Sequence, residues 1–236
     1  MSQCALCKID SNLCDSHIVP EFVFKGLYDE NHRFMGVTGT GNKGWKYLQK
    51  GIREKLLCQN CEQFINEKYE IPFQNEWLNK QTFPDKVSES YFAKYDYAVL
   101  KLFHLSVLFR ASVSTLPTFR QVSLGKHQEI IRQLLLSRDP GKLDQYPIVA
   151  FAVLNNIKEV EKRLITMPLA TKVDGHTVYA QVFCGVMWWI SVSSHTNRFF
   201  QEAGLRESGA ITFISIPWSE IGVMQEAKNA LNRSHH

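Results

Sequence analysis

The sequence CQNC at residues 58–61 repeats a pattern that first occurs as CALC at residues 4–7. Each Cys-x-x-Cys pair places two thiolates on one tight turn, close enough to bind the same metal ion. Two such pairs supply the four thiolates of a closed tetrahedral site, which is the form that structural zinc prefers. The spacing therefore predicts a zinc ion whose ligands are Cys4, Cys7, Cys58 and Cys61.

Other uses of paired cysteines fit this chain less well. Disulfides are unusual in cytoplasmic proteins, and a thioredoxin-like redox motif needs a single pair beside a βαβ unit. Outside the pairs, Cys14 could replace one ligand, although a buried free thiol is the favoured interpretation. Cys184 falls in a strand-like run, which favours a place in the core.

Composition narrows the class of protein. The 236 residues are 44% hydrophobic and 12% aromatic, which supplies a sizeable core and excludes wholesale disorder. The most apolar stretch, residues 99–109, is shorter than a membrane span and contains Lys101 and His104, so we expect no transmembrane helix and no membrane partner. No signal peptide is visible, and six cysteines are too few for a disulfide-rich secreted scaffold, so we expect a cytoplasmic protein. The net charge of +4 is too mild to indicate an acidic partner by itself.

The composition also changes along the chain. Residues 1–70 contain five of the six cysteines and a cluster of glycines, but few of the apolar residues that a large core needs. From about residue 87 onwards the chain is strongly apolar. We therefore predict a zinc-stabilised module at residues 1–75 and an α+β domain at residues 76–236 that positions substrate or binds a partner.

Hydrophobic periodicity predicts two helices and then a group of strands. Apolar residues recur every three or four positions over residues 87–112 and again over residues 125–137. The second half of the first helix is apolar nearly all round, which indicates burial on several sides. β-Branched and aromatic runs of strand length follow at residues 147–154, 164–170, 177–183, 186–192 and 210–216.

Two turn signals organise these elements. Asp174-Gly175 is typical of a hairpin turn, and Pro217 is typical of a first helical turn, which predicts a last helix to about Asn232. Strands joined by hairpins imply an antiparallel sheet. The predicted fold class is α+β, with a helical segment, a mostly antiparallel sheet and a C-terminal helix after the zinc module.

The distance between the cysteine pairs excludes a compact zinc ribbon. The pairs are separated by 50 residues, whereas a ribbon has a spacer of roughly 15–20. A folded insert must lie between them. It contains the run DSHIVP at residues 15–20 and ends with Leu57, and residues 62–69 after the second pair have the composition of a helix start.

In this order of motifs, over residues 4 to about 70, the chain resembles the HNH endonucleases. The family pattern has a Cys-x-x-Cys, then Asp-His-Ile-x-Pro, an asparagine, and Leu-Cys-x-x-Cys-His opening a helix; this chain keeps His17-Ile18-x-Pro20 and Leu57 before the second pair. The resemblance implies a ββα-metal (treble-clef-like) fold stabilised by the four-cysteine zinc, with His17 as the general base that activates a water molecule. That water would attack a phosphodiester whose oxygens are held by one divalent ion, Mg²⁺ or Mn²⁺.

The chain departs from the family pattern at three positions. Ser16 stands where the family has a metal-binding aspartate, with Asp15 one place earlier; Glu62 replaces the histidine after the last cysteine; and the asparagine is missing. A carboxylate is a good ligand for a hard cation, whereas a serine alone is a poor one. Asn66 lies four residues after Glu62, hence on the same helical face. We therefore predict that Glu62 binds the catalytic ion, with Asn66, Asp15 or Ser16 completing the set.

A basic segment lies next to these residues. Residues 31–55 carry six basic side chains and one acidic one. Interleaved with Trp45 and Tyr47, they could follow a phosphate backbone, and double-stranded DNA is the expected substrate. The predicted nucleic-acid contacts are Lys43, Lys46, Lys50, Arg53 and Lys55. A solvated hairpin is the alternative, and the glycine-rich stretch 39–44 lacks the βαβ context of a dinucleotide site, so a flexible loop is predicted there.

The sequence thus predicts a metal-dependent HNH-type endonuclease. Similar patterns in bacterial and phage proteins, often found in defence loci, imply by analogy a role in defence. The main alternative is an inactive zinc-built adaptor for nucleic acid or protein. In that case His17 would only support the zinc fold and Glu62 would only stabilise a helix N-terminus. A third alternative is an effector that acts only with an activating partner ATPase or sensor subunit.

Overall fold

The computed structural model describes residues 2–37, 45–80, 83–195 and 197–222 of the chain. These residues form a mixed α and β structure with a mostly antiparallel sheet and a cysteine cluster near the N-terminus. At this level the predicted fold class is confirmed. The predicted C-terminal helix lies almost entirely outside the described residues, as do the glycine-rich stretch 39–44 and Lys43.

Short strands form three antiparallel pairs in the N-terminal part. They are β1 (Ser2–Gln3), β2 (Asp10–Ser11), β3 (Leu13–His17), β4 (Phe34–Val37), β5 (Trp45–Leu48) and β6 (Arg53–Cys58). β1 pairs with β2, β4 with β5, and β3 with β6. The short helix α1 (Glu21–Phe24) and a 3-10 turn (Lys25–Leu27) follow β3. In the β3–β6 pair, His17 lies opposite Arg53.

A helical segment follows β6 directly. It consists of α2 (Gln59–Ile65), a π-helical turn (Asn66–Glu70), α3 (Ile71–Gln74) and a second π-helical turn (Asn75–Lys80). Pro72 has no backbone N–H to donate, and the N–H of Ile71 bonds to the carbonyl of Asn66, five residues earlier. The wider turn lets the helical path continue past the proline.

The remaining strands form one six-stranded sheet. They are β7 (Ser90–Lys94), β8 (Ile148–Leu154), β9 (Leu169–Val173), β10 (His176–Phe183), β11 (Val186–Ser191) and β12 (Ala210–Pro217), in the order β7-β12-β8-β11-β10-β9. All neighbouring pairs are antiparallel except β12 and β8. Three helices accompany the sheet: α4 (Tyr97–Val113), α5 (His127–Ser137) and α6 (Arg198–Ala203).

Most of the predicted strands are confirmed, and the Asp174-Gly175 turn is confirmed in detail. Both residues have positive φ, 49° and 80°, as a two-residue type I′ hairpin turn requires. The strand predicted at residues 164–170 is wrong in its bounds, because β9 begins only at Leu169. At the other end of the domain, Pro217 closes β12 instead of opening a helix, and a 3-10 turn (Trp218–Glu220) follows it.

The long helix predicted over residues 87–112 is wrong in its first third. Residues Ser90–Lys94 form the edge strand β7, which pairs with β12. The helix begins after Asp96, whose carboxylate accepts a hydrogen bond of 2.9 Å from the N–H of Val99. The apolar periodicity runs through both β7 and α4. The Asp96 cap is therefore the local sequence feature that marks where the helix begins.

α4 is the centre of the core because it is apolar on almost every side. One contiguous cluster of buried side chains includes Leu57 and Ile65 of the N-terminal part, residues of α4, and Trp188 of the sheet. The rings of Phe73 and Phe103 stack with centroids 3.7 Å apart, which joins α3 to α4. The core therefore crosses residue 75, and the division into two domains at that point stays a prediction. Across the described ranges, no helix is long and apolar enough to cross a membrane.

One polar side chain of α4 is buried against the sheet. His104 is 0% exposed and accepts a hydrogen bond at Nδ1 from Gln181 Nε2, at 3.0 Å. The centroid of its ring lies 4.3 Å from that of Trp188. Burial lowers the pKa of His104 to about 3, so the ring stays neutral in the folded protein near pH 7.

This burial predicts a pH-dependent stability that His104→Gln removes. The unfolded histidine binds a proton below about pH 6.5, whereas the folded one does so only near its lowered pKa, so the wild type loses stability as the pH falls through this window. Between pH 7.0 and 5.5, the free energy of unfolding of the zinc-loaded wild type should fall by about 1 kcal/mol more than that of His104→Gln. Urea unfolding at both pH values measures this, and equal losses would contradict a buried neutral His104.

Candidate metal centre and the neighbouring histidine

Local structure brings the two cysteine pairs together. The first pair lies in the turn between β1 and β2, where the N–H of Cys4 donates to the carbonyl of Ile9 at 3.0 Å. The second pair lies where β6 passes into α2. A hydrogen bond of 2.9 Å from the N–H of Ala5 to the carbonyl of Leu56 holds the turn against β6.

The sulfur positions fit a tetrahedral metal ion. The four Sγ atoms of Cys4, Cys7, Cys58 and Cys61 all lie within 4.8 Å of one another, and those of Cys7 and Cys58 are 3.8 Å apart. Four sulfurs at about 2.3 Å from a zinc ion would be separated by about 3.8 Å along each tetrahedral edge. A disulfide would need about 2.05 Å. The four cysteines could therefore bind a metal such as zinc.

The protonation chemistry of these thiols also suits a cation. Burial raises the pKa of Cys4, but backbone donors, first the N–H of Cys58, lower it more, and the net pKa is lowered to about 7. Burial and the neighbouring thiols raise the pKa of Cys61. Because four thiolates repel one another in a site that excludes water, only a bound cation makes full deprotonation favourable.

The other two cysteines lie outside this group. The Sγ of Cys14 donates to Gln59 Oε1 at 3.2 Å, and the thiol is partly exposed, so it is free but not buried. Cys184 is partly buried, packs against the main core and has a pKa raised to about 12 by burial.

His17 lies at the end of β3 and is held by a carboxylate of α1. Its Nε2 is 2.8 Å from Glu21 Oε2. Tyr28 donates its hydroxyl to the same carboxylate, and Arg53 Nη2 is 4.0 Å from it. Burial, followed by the charge of Arg53, lowers the pKa of His17 in spite of Glu21, so its imidazole is neutral near pH 7. Glu21 has no place in the sequence motifs, and its contact with His17 arises because the chain turns from β3 into α1 between them.

Gly51 leaves space for the imidazole ring of His17. A Cβ on Gly51 would lie 3.3 Å from His17 Cδ2 and 3.1 Å from Phe24 Cε2. A larger residue at position 51 would push against both rings. The segment in which the asparagine of the family pattern is missing therefore contains a glycine that packs directly on His17.

Glu62 and Ser16 lie together, close to the cysteine cluster. Ser16 is buried beside Glu62, whose pKa its hydroxyl lowers, and that hydroxyl accepts from the N–H of Leu57 at 3.2 Å. The Oε2 atom of Glu62 is buried without a hydrogen-bond partner in the described structure. Burial raises the pKa of Glu62, against the opposing charge of Arg110.

Two further charged residues adjoin this group. Arg110 Nη1 lies 2.7 Å from Glu70 Oε1 and 2.8 Å from the carbonyl of His17. Both residues were missed by motif reasoning. An arginine in a mostly apolar helix nevertheless indicates a buried ion pair, because a buried charge needs a partner.

Most of the other predicted site residues lie at exposed positions. The Asp15 side chain is 63% exposed, with Oδ2 3.9 Å from Arg53 Nη1. Asn66 is exposed on the π-helical turn after α2. Lys50 and Lys55 are exposed, and Lys46 belongs to β5. Over the described ranges, the four cysteines are the only group of three or more Cys, His, Asp or Glu side chains that lie at metal-binding spacing.

Comparison of the chain with protein-family models, curated proteins and solved structures gives no match. The chemistry of the site therefore rests on the residues themselves.

The thiolate geometry predicts that Cys58→Ser loses bound zinc. The purified wild type should contain one zinc ion per chain, and Cys58→Ser well under one, because three thiolates leave the tetrahedral site open. We expect lower thermal stability for this variant and for the wild type in EDTA. Metal analysis and circular dichroism measure both effects, with Cys14→Ser as the matched control that keeps its zinc. Full zinc content in Cys58→Ser would contradict the site.

Proposed function

We propose that this protein is a metal-dependent endonuclease of the HNH type, which hydrolyses phosphodiester bonds of double-stranded DNA. The observation that carries the proposal is the contact of 2.8 Å between His17, at the end of β3, and Glu21 of α1. The partner strand of β3 is β6, which ends at Cys58 in the thiolate cluster. A neutral, carboxylate-oriented imidazole beside arginine side chains is what a general base for phosphodiester hydrolysis requires.

The local order of elements supports this proposal. β3 and β6 are antiparallel, α2 follows β6, and Cys58 and Cys61 sit at the junction. A strand pair followed by a helix, with a four-thiolate group at its base, has the arrangement expected of a ββα-metal module. The structural zinc would hold this junction rigid, and the chemistry would take place at His17.

His17 supplies the base. When Glu21 accepts a hydrogen bond from Nε2–H, the lone pair of Nδ1 is left to take a proton from water. The lowered pKa of His17 keeps that lone pair free near pH 7. Glu21 would then stabilise the imidazolium that forms, as a positioned carboxylate does in other general-base sites.

Glu62 is the best candidate to hold the catalytic Mg²⁺ or Mn²⁺. Its buried Oε2 has no protein partner among the described residues, and the Ser16 hydroxyl beside it lowers the pKa of the carboxyl group. Magnesium is commonly bound by one or two carboxylates together with substrate phosphates and water, so Glu62 need not belong to a dense ligand cluster. Asn66 and the exposed Asp15 are the reserve ligands. When bound, the ion would polarise the phosphate and stabilise the leaving oxygen.

Basic side chains offer contacts for the DNA backbone. Arg53 lies opposite His17 in the strand pair, and Lys50 and Lys55 are exposed in or near the same strand. Guanidinium and ammonium groups beside the proposed base would bind phosphates on either side of the bond to be cut. Lys46 and Lys43 extend the same basic segment in sequence.

One observation favours an inactive adaptor as the second candidate. Apart from the cysteines, the described residues contain no group of three ligands at metal-binding spacing. An adaptor would keep the zinc and the basic surface but would cut nothing, so a cleavage assay separates the two functions.

His17→Ala tests the base. With supercoiled plasmid and Mn²⁺ or Mg²⁺, the zinc-loaded wild type should nick or linearise the DNA, and His17→Ala should do so at least about a hundredfold more slowly. His195→Ala, in the distant part of the domain, should match the wild type. Gel analysis of initial rates gives the comparison. Equal rates for wild type and His17→Ala would rule out His17 as the base, and the absence of cleavage with either metal would favour the adaptor.

Glu62→Gln tests the divalent-ion ligand. Because an amide binds hard cations more weakly than a carboxylate, we expect the Mn²⁺ concentration for half-maximal cleavage to rise about tenfold. Zinc content should not change, since the four thiolates are intact. Metal titrations of cleavage rate measure this, and an unchanged half-maximal concentration would remove Glu62 from the ion site.

A further inference from the structure

Arg110 is the most deeply buried cation near the proposed site. Its side chain is 1% exposed, and it projects from α4, a mostly apolar helix that also buries Lys101 and His104. A guanidinium in such a place is unfavourable unless its donors are well paired. The partners of Arg110 therefore show what this arginine does.

Those partners connect three separate segments. Nη1 donates to the carbonyl of His17 at 2.8 Å and to Glu70 Oε1 at 2.7 Å, and Nε donates to the carbonyl of Ser106 at 3.3 Å. Glu70 neutralises the charge. The bond to His17 is made to the backbone of the proposed base itself.

This backbone bond restrains the imidazole. The next residue, Ile18, donates its N–H to the carbonyl of Ile52 at 3.0 Å, so the chain is fixed on both sides of the His17 side chain. The ring has limited room on the side of Gly51, where a Cβ would lie 3.3 Å from His17 Cδ2. With the backbone held, Nε2 meets Glu21 at 2.8 Å.

The end of α4 holds the partner strand as well. Glu54 of β6 accepts hydrogen bonds from the hydroxyl of Ser114, at 2.5 Å, and from the N–H of Thr115, at 3.1 Å. The last turn of α4 and the residues after it thus anchor both β3 and β6. The position of the strand pair relative to the core is set by this helix end.

We propose that Arg110 is a positioning residue for the proposed nuclease: through Glu70 and the carbonyl of His17 it fixes the general base in its reactive orientation. The inference rests on the proposed function, but the placement of His17 can be measured without any cleavage. Arg110 is not a catalytic residue, because it contacts the backbone of His17 and not the reacting atoms.

The test uses a charge-neutral double variant. Arg110→Met alone would leave Glu70 partly buried without its cation, whereas Arg110→Met/Glu70→Met removes both charges at similar volume, a change that folded proteins commonly tolerate. The matched control is Arg206→Met. Arg206 is exposed and also donates to a backbone carbonyl, that of Glu202 in α6 at 2.6 Å.

The measurements are made on the zinc-loaded full chain. In NMR spectra, we expect the His17 ring of the double variant to lose its contact with Gly51, and the Ile18 amide to exchange at least about tenfold faster. In the plasmid assay, kcat should fall at least about tenfold with KM within about twofold, because misplaced reacting groups slow chemistry and not binding. Arg206→Met should resemble the wild type in both.

Each outcome is decisive. Unchanged His17 contacts and Ile18 exchange in the folded double variant would overturn the proposal, whatever the enzyme does. If the wild type cleaves nothing, the proposed function fails, while the NMR result still decides the role of Arg110. If the double variant does not fold, Arg110→Lys replaces it: lysine keeps the charge beside Glu70 but lacks the planar fork, and wild-type His17 contacts in that variant would also overturn the proposal.

Discussion

The meeting of four thiols at one point is the constraint on which the N-terminal half of the structure depends. Cys7 and Cys58 are separated by 50 residues, and closing such a loop is entropically unfavourable unless the ends are strongly held. Apolar side chains of the insert, including Ile18, Phe24 and Leu57, join the main core and supply part of this attraction. A cation shared by the four thiolates would add to it and would remove the repulsion between them. The insert would then be held at its ends as well as through the core.

The second constraint is α4, which is buried because it is apolar nearly all round. Such a helix needs neighbours on every side, and α5, the helical segment after β6 and the sheet cover it. Placing a charged residue on it is unfavourable by itself. Glu70 balances the charge of Arg110, and the carbonyls of His17 and Ser106 accept from Nη1 and Nε, while Nη2 is buried without a partner among the described residues. The core and the proposed site are therefore parts of one packing arrangement.

Residue spacing predicts what is local and misses what is long-range. The cysteine site and the Asp174-Gly175 turn follow from short motifs whose geometry is nearly fixed. The strand Ser90–Lys94 was hidden inside a helical period, because its pairing with β12 lies more than 100 residues away and only the Asp96 cap marks the boundary. Arg110 was beyond motif reasoning for the same reason, since its partners lie 40 and 93 residues away.

Burial affects the protonation of both His17 and Glu62. Burial lowers the pKa of His17 and raises that of Glu62, so both groups are biased towards their neutral forms. A cation at the unpartnered oxygen of Glu62 would favour its ionised form without protonating His17. Ion binding and base availability would then be compatible near neutral pH.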